Sequence, residues 1–141
     1  MLGCCGAICD WAGRNEMYED TGAFLDQEFE KLGNPIVISG CPTCKKQLSA
    51  HKALQVYGIW EILETIGLPE NAKRLEIPVA VHDSCGARGE PETQDSIRRI
   101  AEALGCQVVE TPYDRDRSPC CGYGGLTQYT NREVAKEMTD F

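Results

Sequence analysis

The amino-acid sequence predicts an α/β fold with a small parallel sheet flanked by helices. Short apolar, β-branched segments alternate along the chain with stretches in which apolar residues recur every three or four positions. Glycine and proline stand at the ends of these stretches, where helices and strands must stop. Strands that alternate with helices pair in parallel through right-handed crossovers. A chain of 141 residues is long enough for one such domain.

The first half of the chain predicts three helices and one strand. Leu25, Phe29 and Leu32 share one helical face, and Gly33 and Pro35 then end that helix. In chain order the pattern predicts a helix from Asn15 to Leu32, a strand from Pro35 to Ser39, and helices from Lys45 to Tyr57 and from Ile59 to Ile66.

The second half repeats this alternation. Pro91 suits the first turn of a helix whose apolar face carries Ile97, Ile100, Ala101 and Leu104. Strands are predicted on either side of this helix, and Asn131 is predicted to cap a last helix. The predicted ranges are a strand from Pro78 to His82, the helix from Pro91 to Gly105, a strand from Cys106 to Thr111, and a last helix running into Phe141.

These elements describe a small Rossmann-like sheet whose loops carry cysteines. Cys41 and Cys44 follow the first strand, Cys85 follows the second, and Cys120 and Cys121 lie in the loop after the third. In open parallel sheets, ligands collect in the crevice at the carboxyl ends of the strands. We therefore expect the three cysteine groups to meet at one edge of the sheet.

Charge and hydropathy exclude two classes of partner. The formal net charge of -8 repels the phosphate backbone, so a nucleic-acid-binding role is not expected. No apolar run is long enough for a membrane span, and the first residues do not resemble a signal peptide. The sequence predicts a cytoplasmic protein, and exposed sheet edges make a homo-oligomer a possible state.

Nine cysteines are the outstanding feature of the composition. Cytosolic thiols stay reduced and nine is an odd number, so metal or redox chemistry explains them better than a disulfide framework. A single Cys41-x-x-Cys44 is a weak signal that also suits a dithiol oxidoreductase. The Cys4-Cys5-Gly6 and Cys120-Cys121-Gly122 elements are more specific. Adjacent thiolates repel each other unless a metal neutralises their charge. A polynuclear iron-sulfur cluster has several iron atoms that need sulfur ligands, so it suits such a pair.

The spacing of these elements resembles the cysteine-rich CCG domain family. A Cys-Cys-Gly lies 35 residues before Cys-Pro-Thr-Cys, and His82-Asp83-Ser84-Cys85 lies 34 residues before a second Cys-Cys-Gly. The family includes a cysteine-rich component of heterodisulfide reductase and the iron-sulfur subunits of glycolate oxidase and related flavin-linked dehydrogenases. Local matches at Trp60-Glu61-Ile62-Leu63 and from Cys121 to Leu126 support the resemblance, which covers nearly the whole chain.

The resemblance implies a non-cubane 4Fe-4S cluster held by cysteine sulfurs. It assigns Cys4, Cys5, Cys41 and Cys44 to the pair and the CxxC of a first motif. It assigns Cys85, Cys120 and Cys121 to the single cysteine and the pair of a second. Each motif lacks one part of the family pattern, which predicts a domain, residues 1–141, that is truncated at both ends relative to that pattern. Ser84 stands where proline is commoner in the family.

The resemblance also implies partners. Flavoproteins and other iron-sulfur subunits or domains are expected, with a disulfide or a hydroxyacid as the substrate. The domain would relay electrons from a flavin partner, or reduce a disulfide itself as in heterodisulfide reductase. One alternative is a structural zinc domain that mediates assembly, and another is a dithiol oxidoreductase that uses Cys41 and Cys44 alone.

The remaining chemistry-bearing residues have plainer interpretations. Cys9 and Cys106 fit no motif position and are predicted to be small core residues. His82 is either a hydrogen-bond donor to a cluster sulfur or a core residue, and the sequence does not choose between them. His51 is predicted on a solvated helix face, and Trp11 and Trp60 in the core.

Overall fold

Each half of the chain contains one pair of parallel strands. The computed structural model describes residues 3–140. Strand β1 (Val37–Ser39) pairs with β2 (Val56–Gly58), and β3 (Pro78–Val79) pairs with β4 (Gln107–Val108). The expected α/β class with parallel pairing is confirmed. The strands form two separate two-stranded sheets, and a single continuous sheet is not formed by the described residues.

Helices connect and flank the two strand pairs. In chain order they are α1 (Ala7–Trp11), α2 (Asn15–Lys31), α3 (Pro42–Leu48), α4 (Ile59–Ile66), α5 (Pro91–Ala103), α6 (Thr127–Thr130) and α7 (Arg132–Glu137). Two single turns of 3-10 helix lie at Cys85–Ala87 and Arg115–Arg117. The predicted ranges of α2, α4 and α5 agree with these bounds to within two residues.

The predicted helix from Lys45 to Tyr57 is wrong in both bounds. Helix α3 begins at Pro42 and ends at Leu48, and the end of the predicted range forms β2 instead. Proline at the first helical position explains the early start, because its missing N–H is not needed there. Strand β2 exists because its backbone pairs with β1, and a local helical pattern does not reveal such a pairing.

The other predicted strands exist but are shorter. The ladder between β3 and β4 covers two residues on each strand, and the N–H of Val109 extends it by donating to the carbonyl of Val79 at 2.8 Å. At the end of the chain, Asn131 caps α7 as predicted, since its side chain accepts a hydrogen bond from the N–H of Val134. The predicted end of that helix at Phe141 lies outside the described residues.

Helix α5 packs against α4 and has an unusual buried face. Ile100 is buried, as its position in the apolar repeat predicts. The same helix also buries four polar side chains, of Thr93, Gln94, Ser96 and Arg98. Every buried side-chain nitrogen or oxygen of the described residues has a hydrogen-bond partner. This half of the molecule is therefore organised around a polar interior.

Membrane-spanning helices were sought along residues 3–140. No helix in that range combines the length and the apolar character needed to cross a bilayer.

Candidate functional site

A cleft of about 590 Å³ brings together three cysteines that are far apart in sequence. Cys41, Cys85 and Cys120 line it, together with Trp11 and Gly86. Cys41 and Cys85 follow the carboxyl ends of β1 and β3, and Cys120 lies in the loop beyond β4. The prediction that the cysteine loops meet at the carboxyl ends of the strands is thus met for these three residues.

The first thiol group consists of Cys4, Cys5, Cys41 and Cys44. Cys41 is the residue before the first turn of α3, and Cys44 lies within that turn. The sulfur of Cys44 lies 3.2 Å from the sulfur of Cys5, so the Cys-Cys-Gly element and the CxxC element are in direct contact. Cys4 is exposed and is not among the described residues that line the cleft.

The pKa values of the two cysteines of the CxxC element are shifted in opposite directions. Partial burial of Cys41 disfavours its ionisation. Hydrogen bonds from the backbone and side chains of Cys44 and Thr43 outweigh this effect and hold the pKa of Cys41 below its usual value. Burial, together with the neighbouring sulfurs of Cys5 and Cys41, raises the pKa of Cys44 to about 12. Cys41 is therefore the more readily ionised thiol of the pair.

Helix α3, which carries this element, is fixed from two sides. Tyr18 of α2 donates a hydrogen bond to Gln47 at 2.8 Å. The half-buried ammonium of Lys45 lies 2.5 Å from Glu61 of α4 and 3.2 Å from Glu90, just before α5.

Gly6 has a φ of +86°, and a Cβ there would lie 3.0 Å from the ring of Tyr18. The first Cys-Cys-Gly element thus requires glycine both for its backbone and for its packing.

The second thiol group consists of Cys85, Cys120 and Cys121. Cys85 begins a single 3-10 turn and is exposed. Cys121 lines a different cavity, of about 430 Å³, beside Arg132 and Lys136 of α7. Hydrogen bonds from the backbone N–H groups of Tyr123 and Gly124 lower the pKa of Cys121. The adjacent cysteines of this element therefore line two different cavities.

The segments that carry the two thiol groups come close together where the turn of Cys85 meets the start of α3. A Cβ at Gly86 would lie 2.7 Å from the hydroxyl oxygen of Thr43 and 3.2 Å from its backbone nitrogen. Only a residue without a side chain lets the turn that carries Cys85 approach the start of α3 this closely. The close contact brings Cys85 to the same cleft as Cys41.

A buried ionic cluster lies behind the second group. Asp83, two residues before Cys85, is 2% exposed and faces Arg98 of α5, which is 5% exposed. Burial of the Asp83 carboxyl is outweighed by hydrogen bonds from Arg98 and from the N–H of Arg115, which hold the pKa of Asp83 below its usual value. Sequence reasoning missed Arg98. The available signal was its spacing, because a helical period of 3.6 places it on the face that buries Gln94.

The remaining predicted residues have mixed outcomes. Cys106 is buried, as expected, but Cys9 is only half-buried. Trp11 is exposed and lines the cleft, so its predicted core position is wrong. His51 is largely buried in the turn after α3, with Nδ1 2.6 Å from Asp26, which corrects its predicted solvated position.

His82 is not a core residue, because it is exposed. Its Nδ1 lies 3.4 Å from the hydroxyl of Ser118, which is a long hydrogen bond. A role for His82 as a donor to a cluster sulfur stays a prediction.

The chemistry of the donor set fits an iron-sulfur cluster. Such clusters are held by cysteine thiolates, and thiols from three separate loops line one cleft here. Within residues 3–140, no group of three or more cysteine, histidine or carboxylate side chains is close enough to hold a metal ion in this conformation.

The fold and the cleft define a cysteine-rich α/β domain with thiols at the carboxyl ends of parallel strands. The family model for the cysteine-rich domain CCG matches residues 1–49 and 79–140, which together are more than half of the chain. The chain belongs to the CCG cysteine-rich domain family. It is similar to the EtfAB:quinone oxidoreductase of Syntrophomonas wolfei subsp. wolfei, at 27% identity over 93% of this chain.

The chain spans about a fifth of the length of that relative, 20%. No solved structure matches the chain.

Proposed function

We propose that this chain is an iron-sulfur cluster-binding domain that transfers electrons within a larger oxidoreductase. The observation that supports this most directly is the meeting of Cys41, Cys85 and Cys120 at one cleft, with the Cys5 and Cys44 sulfurs in contact nearby. Membership of the CCG family and the oxidoreductase named among its relatives are consistent with the same role.

The expected group is a 4Fe-4S cluster of the non-cubane type, which would accept and release single electrons when bound. Cys4, Cys5, Cys41 and Cys44 are the proposed ligands from the first motif, and Cys85, Cys120 and Cys121 those from the second. Ligand thiols must be deprotonated. The pKa values of Cys41 and Cys121 are lowered, which makes their protons easier to remove, whereas the pKa of Cys44 is raised to about 12, which opposes the loss of its proton.

Flavoproteins and other iron-sulfur domains are the proposed redox partners. The cleft lined by Cys41, Cys85 and Cys120 lies between segments of both thiol groups and is the proposed contact with these partners. An electron relay needs only that a partner's cofactor come close to the cluster. That the domain lies within a larger oxidoreductase, and that this oxidoreductase acts on a substrate of its own, are also part of this proposal.

The cleft also supports a second candidate, the reduction of a small disulfide. A cavity of about 590 Å³ beside Cys41 and Cys85 falls within the size range of small-molecule sites. Two electrons from a flavoprotein and two protons would convert one disulfide to two thiols. A pure relay has no need of such a cavity next to the ligands, which is why this candidate is kept.

Metal analysis of protein purified without oxygen tests the proposal. We expect iron and acid-labile sulfide, with a visible absorption spectrum, in the unaltered chain. Cys41→Ser and Cys85→Ser should lose most of both. Cys106→Ala is the matched control. Cys106 is buried and lies at the amino end of β4, whereas Cys41 and Cys85 follow the carboxyl ends of β1 and β3.

Two other results would decide against the proposal. About one zinc ion per chain without sulfide would establish the structural zinc domain instead. Equal iron loss in Cys106→Ala and Cys41→Ser would show that the iron does not depend on the cleft. For the second candidate, a reduced, iron-loaded chain that leaves small disulfides intact in the presence of an electron donor would restrict the role to electron relay.

A further inference from the structure

The segment before Cys85 is held by a buried two-bond ion pair. Arg98 donates from Nη1 to Oδ1 of Asp83 at 2.9 Å and from Nη2 to Oδ2 at 2.8 Å. Both side chains are almost completely buried. The planar guanidinium matches a carboxylate in this geometry and fixes its orientation as well as its distance. Asp83 therefore has one defined position, two residues from the thiol.

Arg98 is itself held by two further groups, one after β4 and one on its own helix. It donates to Glu110, after β4, at 2.6 Å and 2.9 Å. It also donates to the backbone carbonyl of Gln94, one turn earlier in α5, at 2.9 Å. The guanidinium thus connects α5, the end of β3 and the segment that follows β4.

Further hydrogen bonds tie this cluster to the segment that leads to Cys120. The second oxygen of Asp83 also accepts the N–H of Arg115 at 2.7 Å. Arg88 donates to the carbonyl of Ser118 at 2.8 Å, and Asp116 accepts the N–H of Gly89 at 2.9 Å. Ser118 stands two residues before Cys120. The stretches on both sides of Cys85 are thereby bonded to the stretch that precedes Cys120.

Stability alone does not account for this arrangement. Burying a guanidinium and a carboxylate costs hydration, and well-packed apolar side chains of the same volume often stabilise a fold as well or better. What apolar residues cannot supply is a fixed angle and register between two loops. That property is the one a metal site demands of the groups behind its ligands.

We propose that Asp83 and Arg98 are positioning residues of the second thiol group, which fix the segment carrying Cys85 against the segment leading to Cys120. The pair touches neither sulfur and acts through the backbone of these two segments. The identity of the bound group rests on the proposed iron-sulfur function. The positioning of the thiols does not, and it can be measured in protein that contains no metal.

The test compares Arg98→Lys with Arg99→Lys in the metal-free, reduced chain. Both substitutions keep the charge, and both residues are on α5. Arg99 pairs with the partly exposed Glu64 and not with Asp83, so it is the matched control. A short bismaleimide is added, and the Cys85–Cys120 cross-link is quantified by peptide mapping. Asp83→Asn provides a second variant, which removes the charge with little change of volume.

A second readout reports whether the rest of the fold is intact. Mild oxidation should join Cys5 and Cys44, whose sulfurs are 3.2 Å apart in the first thiol group. We expect Arg98→Lys and Asp83→Asn to lower the Cys85–Cys120 yield severalfold, because the two segments lose the two-bond pair that fixes their distance. Disulfide formation between Cys5 and Cys44 and the far-ultraviolet circular dichroism should stay at the level of the unaltered chain.

Three results would overturn the proposal. The first is an unchanged Cys85–Cys120 yield in a folded Arg98→Lys protein, and the second is an equal fall in Arg99→Lys. The third is loss of both readouts together in Arg98→Lys and Asp83→Asn, which would show that the pair only stabilises the whole fold. Iron analysis is scored separately, so a chain that binds no iron but shows the selective fall would reject the iron-sulfur function and keep the positioning role.

Discussion

The two thiol groups are supported in different ways. In the first group, Cys41 and Cys44 lie at the start of a short helix, and the sulfur of Cys44 touches that of Cys5. In the second group, Cys85 begins a single 3-10 turn and Cys120 lies in a loop, and an almost completely buried ion pair lies behind them. The first group thus depends on a helix start with half-buried side-chain bonds, and the second depends on an almost completely buried ion pair.

This difference teaches where each group is vulnerable. A helix start is a local structure, so its geometry survives most distant changes. A loop held by a buried carboxylate and guanidinium depends on each partner, because removal of one leaves the other charge buried without its main partner. We therefore expect the second group to be the more sensitive to substitutions that lie away from the cysteines.

The largest effect is expected from Arg98→Met. This change leaves Asp83 buried without its partner, and such losses destabilise proteins by about 3–5 kcal/mol. Urea unfolding at neutral pH measures it. Arg99→Met, next in sequence but paired at the surface, should leave the free energy of unfolding close to that of the unaltered chain. Equal losses of unfolding free energy in the two variants would contradict the claim that the second thiol group depends on its buried ion pair.

A smaller loss is expected from Gly122→Ala. Gly122 has a φ of +72°, and a Cβ there would overlap the carbonyl oxygen of Ala135 in α7. Backbone strain alone costs about 1–3 kcal/mol, and the overlap adds to it. Gly89→Ala is the control, since Gly89 also has positive φ but no heavy atom within 4 Å of the position of a Cβ. Thermal unfolding should show Gly122→Ala as clearly the less stable of the two.

Gly86→Ala tests the contact that joins the groups. The added methyl would press on Thr43, and overpacking of this kind costs about 1–3 kcal/mol. The expected specific result is a lower yield of the bismaleimide cross-link between Cys41 and Cys85. Gly40→Ala places its methyl in open space and should leave that yield unchanged. A similar yield in both variants would show that the close approach does not set the distance between the groups.

The smallest expected effect is a difference in proton binding between the two thiols of the CxxC element. The thiolate is the form that reacts with iodoacetamide. In the metal-free chain at pH 8, Cys41 should be alkylated faster than Cys44, because its pKa is lowered while that of Cys44 is raised to about 12. The rate for Cys44 should still be rising with pH above 10.

Cys5→Ala serves as the check on this explanation. It removes the neighbouring sulfur, which should lower the pKa of Cys44 and raise its alkylation rate at pH 8. Peptide mapping by mass spectrometry follows each thiol separately. A rate for Cys44 that is unaffected by Cys5→Ala would mean that burial and Cys41, and not Cys5, set its pKa.

The sequence by itself determined the fold class and the location of the thiols. Apolar periodicity identified α2, α4 and α5 because apolar side chains recur at helical spacing along each of them. The cysteines after β1 and β3 meet at one cleft, as predicted, although the two strands belong to separate sheets. Asn131 was identified as a cap because its short side chain can accept a hydrogen bond from the helix that follows.

Only the tertiary structure decided which strands pair and what supports the loops. Strand β2 is three residues long, and it exists because β1 supplies its hydrogen-bond partners from a distant part of the chain. Likewise, Arg98 is an unremarkable helical arginine in the sequence. It becomes a buried partner of Asp83 and Glu110 only when β3, α5 and the segment after β4 pack together. Hydrogen bonds between distant segments depend on the packing of the whole chain, and local periodicity does not encode them.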